Sequence, residues 1–268
     1  MDTTTMKVRA NGADLHVVRG GQGPALLFAH CLGGDVTAWA PQLAAFGDRY
    51  QCIAYDLRGQ GASQVTPGPY TMAGLADDAL ALLDALAIEK AVFLGVSMGG
   101  MVAMEAALRA PHRFAGLVVA DSAAGFAPEA RQGWDERMAA VRSGGLAPMV
   151  DTMMGRWFTD TYRRRAADQV AAVAARLRAA PVDGYLASCA AIRDLDVLPR
   201  LPELTCPTLV ICGEHDPSTP LSLSEAIATA LPDARLAVIP HAHHLTQLEF
   251  PETFNALVDG FLTELDYA

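Results

Sequence analysis

Three kinds of side chain suited to nucleophilic acyl transfer stand far apart in this chain. Ser97 lies in "GVSMGG", Asp216 in "GEHDPSTP", and His241, His243 and His244 crowd the stretch "HAHHLTQLEFPETF". A serine hydroxyl attacks a carbonyl at neutral pH only when an imidazole within about 3 Å takes its proton and a carboxylate orients that imidazole. The modest alternative for Ser97 is a helix cap, because a serine ahead of a helix commonly accepts an orphan backbone N–H.

The flanking segments favour the nucleophile. The apolar run "AVFLG" (91–95) leads into Ser97, and "MGGMVAMEAALRA" beyond it can form a helix. Gly95 and Gly99 fall where a sharp strand-to-helix turn brings backbones together and leaves the hydroxyl at the tip of a sheet. Asp216 follows the run "TLVIC" and the histidines follow "LAVIP". Both are carboxyl ends of expected strands, where ligands and catalytic groups gather in open α/β sheets. Nucleophile, acid and base therefore occupy three such loops in that order. Asp121, closing "GLVVA", is the rival acid; its competing reading is a cap for the segment after "DSAAG". For the oxyanion, the backbone N–H of Met98 is one expected donor, and the loop "HCLGGD" after "ALLFA" offers the second through Leu32.

Six short runs, "ALLFA" (25–29), "CIAYD" (52–56), "AVFLG" (91–95), "GLVVA" (116–120), "TLVIC" (208–212) and "LAVIP" (236–240), are apolar throughout, as strands buried on both faces are. Helical patterns lie between them; Leu75, Ala79, Leu82, Leu83 and Leu86 fall on one stripe. This alternation predicts an α/β fold with a mostly parallel central sheet flanked by helices. "KVRANGADLHVV" predicts a hairpin turning at Asn11-Gly12. From 124 to 199 no strand-like run occurs, and the segment is expected to be a helical cap inserted between core segments 1–123 and 200–268.

Composition narrows the function classes. With 268 residues and 51% hydrophobic composition the chain can bury a large core. Its net charge of −10, with no face-sized basic cluster, argues against nucleic acid as a partner. Its longest apolar runs fall far short of the roughly 20 residues a membrane helix needs, so no membrane partner is expected. The opening "MDTTTMKVRANGADLHVV" predicts no secretion signal. Five scattered cysteines without a C-x-x-C pair suggest reduced thiols in a cytoplasmic protein.

Taken together, "HCLGG", "YDLRGQGAS", "GVSMGG", "PTLVICGEHDPSTP" and "HHLTQLEFPETF" make the chain similar to the α/β-hydrolases over nearly its whole length. Within them it most resembles 3-oxoadipate enol-lactonases, through "MAGLADDALALLDAL", "GVSMGGM", "RWFTDTY" and "GYLASCAAIRDLD". The resemblance implies the α/β-hydrolase fold with a helical cap, and catalysis by Ser97, Asp216 and His244. Here the pattern of a small residue, then His, ahead of the Glu-x-Pro stretch selects His244, with His243 as the fallback. It implies a small-molecule ester or lactone substrate, most closely an enol-lactone carrying a carboxylate, with Arg131, Arg137 and Arg156 all open as its receptor. The same machinery serves carboxylesterases, cofactor-free perhydrolases and carbon–carbon bond hydrolases, and a binding module on this fold is a further alternative. Cys31, Trp134, Met138, Met153 and Trp157 are expected to line the pocket. No cofactor is implied and no metal expected, since the histidines near His215 lack a spaced ligand set such as H-E-x-x-H. Two positions depart from the family: Cys31 replaces a common glycine, and Gln60 replaces a common histidine and is taken as loop structure without a catalytic part.

Overall fold

Asn11 and Gly12 both adopt positive φ (43° and 78°), as a two-residue turn between twisted strands requires. They join β1 (Thr3–Ala10) to β2 (Ala13–Gly20) in an antiparallel hairpin. A computed structural model of the chain describes residues 2–267. The remaining strands are β3 (Ala25–Ala29), β4 (Gln51–Tyr55), β5 (Ala91–Val96), β6 (Phe114–Ala120), β7 (Thr208–Gly213) and β8 (Ala234–Ile239). They form one eight-stranded sheet in the order β1-β2-β4-β3-β5-β6-β7-β8. From β4 to β8 every neighbouring pair is parallel, and β2 joins β4 antiparallel.

The apolar runs become strands within one or two residues of their predicted limits. β3, β5 and β7 are buried throughout, because helices cover both faces. The run "LAVIP" differs. Its strand β8 starts earlier, stops before Pro240, and is half-exposed, because it is the sheet's edge and lacks cover on one side.

Helices α1 (Ala40–Phe46), α2 (Met72–Ala85) and α3 (Met98–Arg109) connect the first strands. The stripe Leu75, Ala79, Leu82 and Leu83 is the buried face of α2, while Leu86 caps its end. Between β6 and β7 come only helices: α4 (Pro128–Gly144), α5 (Val150–Trp157), α6 (Asp160–Arg165), α7 (Ala167–Ala179) and α8 (Val182–Arg193), with short 3₁₀ turns. A single bridge between Gly125 and Asp196, and the Val197 N–H donating to the Ala124 carbonyl at 2.8 Å, close the neck of this excursion. After β7 come α9 (Leu221–Ala230), α10 (Thr246–Glu249) and α11 (Pro251–Glu264), the last opened by proline at a position where its missing N–H costs nothing. Trp39 is wedged between Phe28 of β3 and Phe254 of α11, at ring distances of 5.2 and 6.1 Å.

The chain is tightly packed at the junction of β5 and α3. Ser97 sits there at φ 55°, ψ −117°, a conformation that side-chain-bearing residues rarely adopt. A Cβ built on Gly99 would stand 2.0 Å from the Ala29 carbonyl oxygen, and one on Gly95 would stand 2.2 Å from the Gly99 backbone. Gly99→Ala is therefore expected to cost more than about 3 kcal/mol of stability in urea unfolding. A loss below about 1 kcal/mol would mean that the turn relaxes and that this packing is unimportant.

Candidate active site

The loops after β5, β7 and β8 bring Ser97, Asp216 and His244 together at the carboxyl edge of the sheet. His244 is buried, and its Nδ1 lies 2.7 Å from Asp216 Oδ2. Asp216 is itself held by the residues that follow it. Its Oδ1 accepts the N–H groups of Ser218 (2.7 Å) and Thr219 (3.1 Å), and its Oδ2 accepts the Thr219 hydroxyl at 2.7 Å. Sequence reasoning passed over these two partners, although an aspartate followed closely by Ser and Thr is a common local bonding pattern. Ser97 stands at the N-cap of α3 but its side chain makes no capping bond. Ser97 and His244 line one cavity of about 410 Å³; among the described residues no hydrogen bond joins them. Such bonds are often long or misaligned before substrate arrives.

Of the three clustered histidines, only His244 faces this cavity. His243 is half-buried, with its backbone N–H on Glu249 at 3.3 Å, and His241 is exposed beside Glu214 and His215. Asp121 is fully buried yet caps nothing in the segment after it, contrary to expectation. Its Oδ1 accepts the Gly213 N–H at 2.9 Å, and its Oδ2 accepts the Thr246 N–H (3.2 Å) and hydroxyl (2.6 Å). β6 runs beside β7, so the donors nearest to the residue just past its end belong to the end of β7 and to the segment after β8. Asp121 thereby ties the loop carrying Asp216 to the one carrying His244.

Burial and the charge of Asp216 push the Asp121 carboxyl up to about 8. Burial works against an ionised Asp216, but the His244 charge and hydrogen bond, with those of Thr219 and Ser218, hold it below the usual carboxylate range. Burial likewise opposes the His244 imidazolium, and Asp216 outweighs it by charge and hydrogen bond, leaving the imidazole above its ordinary value.

The turn after β3 carries Cys31 and Leu32, which also line the cavity. Among the described residues no acceptor meets the backbone N–H of Leu32 or Met98. His30, buried and missed in the sequence as a structural element, fixes the turn: one ring nitrogen pairs with the Cys31 carbonyl at 2.8 Å and the other accepts the Leu57 N–H at 3.0 Å. That pattern needs the neutral imidazole with the proton on Nδ1. Burial pushes the Cys31 thiol up to about 12, which favours the protonated thiol over the nucleophilic thiolate.

From the helices between β6 and β7, Trp134, Met153 and Trp157 line the cavity, joined by Met149 and Arg137. Met138 does not; one residue and about 100° around α4 from Arg137, it is buried in the apolar core instead. A second recess of about 990 Å³ shares Cys31 and Trp157 but contains neither Ser97 nor His244. Of the three candidate arginines, Arg131 lies outside the cavity, with its Nε on the Phe126 carbonyl at 3.2 Å. Arg156 lines it but is engaged by the Pro217 carbonyl at 2.6 Å. Arg137 is bonded to the Tyr185 hydroxyl and held over the Trp134 and Tyr185 rings at 5.0 and 5.5 Å; its buried Nε has no partner among the described residues.

The chain belongs to the α/β-hydrolase fold family, whose pattern matches residues 24–251. It is 37% identical over 239 residues to 3-oxoadipate enol-lactonase 2 of Acinetobacter baylyi, a match covering 89% of this chain and 88% of that one. It is 33% identical to the putative carbamate hydrolase RutD of Caulobacter sp. (strain K31), covering 92% of this chain and 95% of that one. Among solved structures, the enol-lactonase from Burkholderia xenovorans LB400 superposes with a TM-score of 0.92 at 32% identity, covering 96% of this chain and all of that one. The family resemblance read from the motifs thus extends to the whole fold. Among the described residues no helix is long and apolar enough to cross a membrane.

The charge balance at His244 has a signed consequence. Followed by NMR, its imidazole is expected to titrate with a midpoint above the ordinary value near 6.5, being protonated below that midpoint and neutral above it. In Asp216→Asn burial dominates, and the midpoint is expected to drop below 6.5. An unchanged midpoint would show that Asp216 does not control this imidazole.

Proposed function

We propose that this protein hydrolyses a small carboxylic ester or lactone through an acyl-enzyme on Ser97, with an enol-lactone such as 3-oxoadipate enol-lactone as the leading substrate. The observation that carries the reading is the buried His244–Asp216 pair at 2.7 Å, opening on the same cavity as a serine held in a left-handed turn. In this mechanism Ser97 Oγ bonds to the carbonyl carbon while His244 Nε2 takes its proton. Asp216 keeps the Nδ1–H tautomer and stabilises the cation that forms. The N–H groups of Leu32 and Met98 hold the oxyanion; losing one such donor typically costs about 3 kcal/mol of transition-state stabilisation. Collapse breaks the bond to the leaving oxygen, which receives the proton from His244. His244 then deprotonates a water whose oxygen bonds to the acyl carbon; the bond from that carbon to Ser97 Oγ breaks, Oγ takes the proton back from His244, and the acid leaves.

Residues 124–199 act as the cap over this site, with Trp134, Met153 and Trp157 as its apolar roof and Arg137 as the receptor for a carboxylate on the substrate. Its place in the cavity wall and its aromatic clamp support that choice over Arg131, which lies outside the cavity, and Arg156, which the Pro217 carbonyl engages. The five free, buried cysteines are consistent with a cytoplasmic location. The carbamate hydrolase relative supports a second reading, in which the acyl group is a carbamate. Rates on an enol-lactone against a small carbamate separate the two.

Labelling with a fluorophosphonate is expected to modify the wild type and spare Ser97→Ala; labelling of both would refute the nucleophile. His244→Ala is expected to abolish turnover, whereas His243→Ala keeps a measurable fraction, and the opposite pattern would shift the base by one residue. Arg137→Met is expected to raise KM for a carboxylate-bearing lactone by about 10- to 100-fold, the worth of a charge-assisted bond, while changing KM for p-nitrophenyl acetate by less than about threefold. Equal effects on both substrates would remove Arg137 from that role.

A further inference from the structure

The turn carrying Leu32 is held from a residue outside the proposed catalytic set. Gln60, wholly buried in the loop after β4, accepts the Gly33 N–H on its Oε1 at 3.0 Å, and its Nε2 donates to Ser188 Oγ on α8 at 3.0 Å. The direction of the amide is dictated, since a backbone N–H can only donate. One side chain therefore joins the turn on the core to a helix of the cap. Independent contacts seat the cap on the same loop: a Cβ built on Gly184 of α8 would stand 1.9 Å from the Gly59 carbonyl oxygen, and the Tyr70 N–H donates to the Ala187 carbonyl at 3.2 Å. Gly33, at φ +75°, is also covered by the cap, for a Cβ there would meet Leu177 at 2.5 Å.

We propose that Gln60 is a positioning residue for the oxyanion donor: by linking Gly33 to Ser188 it aims the adjoining Leu32 amide and makes that aim depend on how the cap is seated. This rests on the reading of Leu32 as an oxyanion donor. Gln60 does not line the cavity and so acts without touching substrate. Replacing it by an apolar side chain of similar size leaves the Gly33 N–H buried without an acceptor, and the turn then reorients to satisfy it. An amide that has moved by a fraction of an ångström still lets substrate bind, but it meets the developing charge poorly.

The test compares wild type, Gln60→Leu, Ser188→Ala and the double variant on p-nitrophenyl acetate, with inhibition by a trifluoromethyl ketone whose serine adduct places an oxyanion in the same hole. Gln60→Leu is expected to lower kcat about tenfold or more with KM within about threefold, and to raise the ketone inhibition constant by a similar factor. Ser188→Ala is expected to show a smaller loss of the same kind, and the double variant no more than Gln60→Leu, because both cut one linkage. Unchanged kcat and inhibition constant, or a loss confined to KM or thermal stability, would overturn the proposal. If Gln60→Leu does not fold, Ser188→Ala decides alone: an inhibition constant equal to the wild type's overturns it. Failure of the parent reading looks different, since the ketone would then not inhibit the wild type and Ser97→Ala would still turn over; the proposal would fall with it.

Discussion

A polar side chain can be presented at the edge of a buried parallel sheet only if the chain reverses direction without lifting away from its neighbours. At Ser97 this demands a backbone conformation that stores on the order of 1–3 kcal/mol of strain. Hydrogen bonds on either side keep it from relaxing: the Ser97 N–H donates to the Ala120 carbonyl at 2.8 Å, and the Ser122 hydroxyl donates to the Ser97 carbonyl at 2.8 Å. Gly95 and Gly99 supply the room, since the first turn of α3 presses on the end of β3. The hydroxyl is left free of the helix it precedes, which is the condition for any chemistry at this position.

The same parallel register delivers the partners. Because β6, β7 and β8 end side by side, two carboxylates and an imidazole share one buried space, and their different donor sets divide the work between them. Asp216 receives two amide N–H groups and a hydroxyl from its own loop and spends its remaining capacity on His244. Asp121 receives its donors from Gly213 at the end of β7 and from Thr246 beyond β8, both on one side of β6, and serves as a tie between them. Burial first, and the nearby charge of Asp216 second, drive Asp121 up, while the imidazole, against the burial of Asp216, holds that carboxyl down.

Above this edge the helices between β6 and β7 line the same cavity. They contribute an apolar wall from Trp134, Met153 and Trp157 and two cations, Arg156 and the ring-clamped Arg137. They also rest on the loop after β4 through backbone contact at Gly59 and Gly184, closer than any side chain would allow. The same loop carries Gln60, whose side chain joins the Gly33 N–H to Ser188 on α8, so the turn after β3, the loop after β4 and α8 are held together by direct contacts.

Local physics was enough for the sequence to determine the strands, the hairpin at Asn11-Gly12, the turn around Ser97 and the loops on which Asp216 and His244 stand. Apolar periodicity and turn chemistry act within a few residues and leave their mark in the order of the chain. Only the tertiary structure decided which histidine turns inward, which arginine meets the cavity, that Met138 packs into the core, that Asp121 ties two loops, and that Gln60 reaches across to Ser188. Those outcomes depend on the direction of single hydrogen bonds and the rotation of a helix by one residue, between groups that are distant in the chain. Neighbouring histidines are chemically equal until packing gives one of them a carboxylate and a cavity.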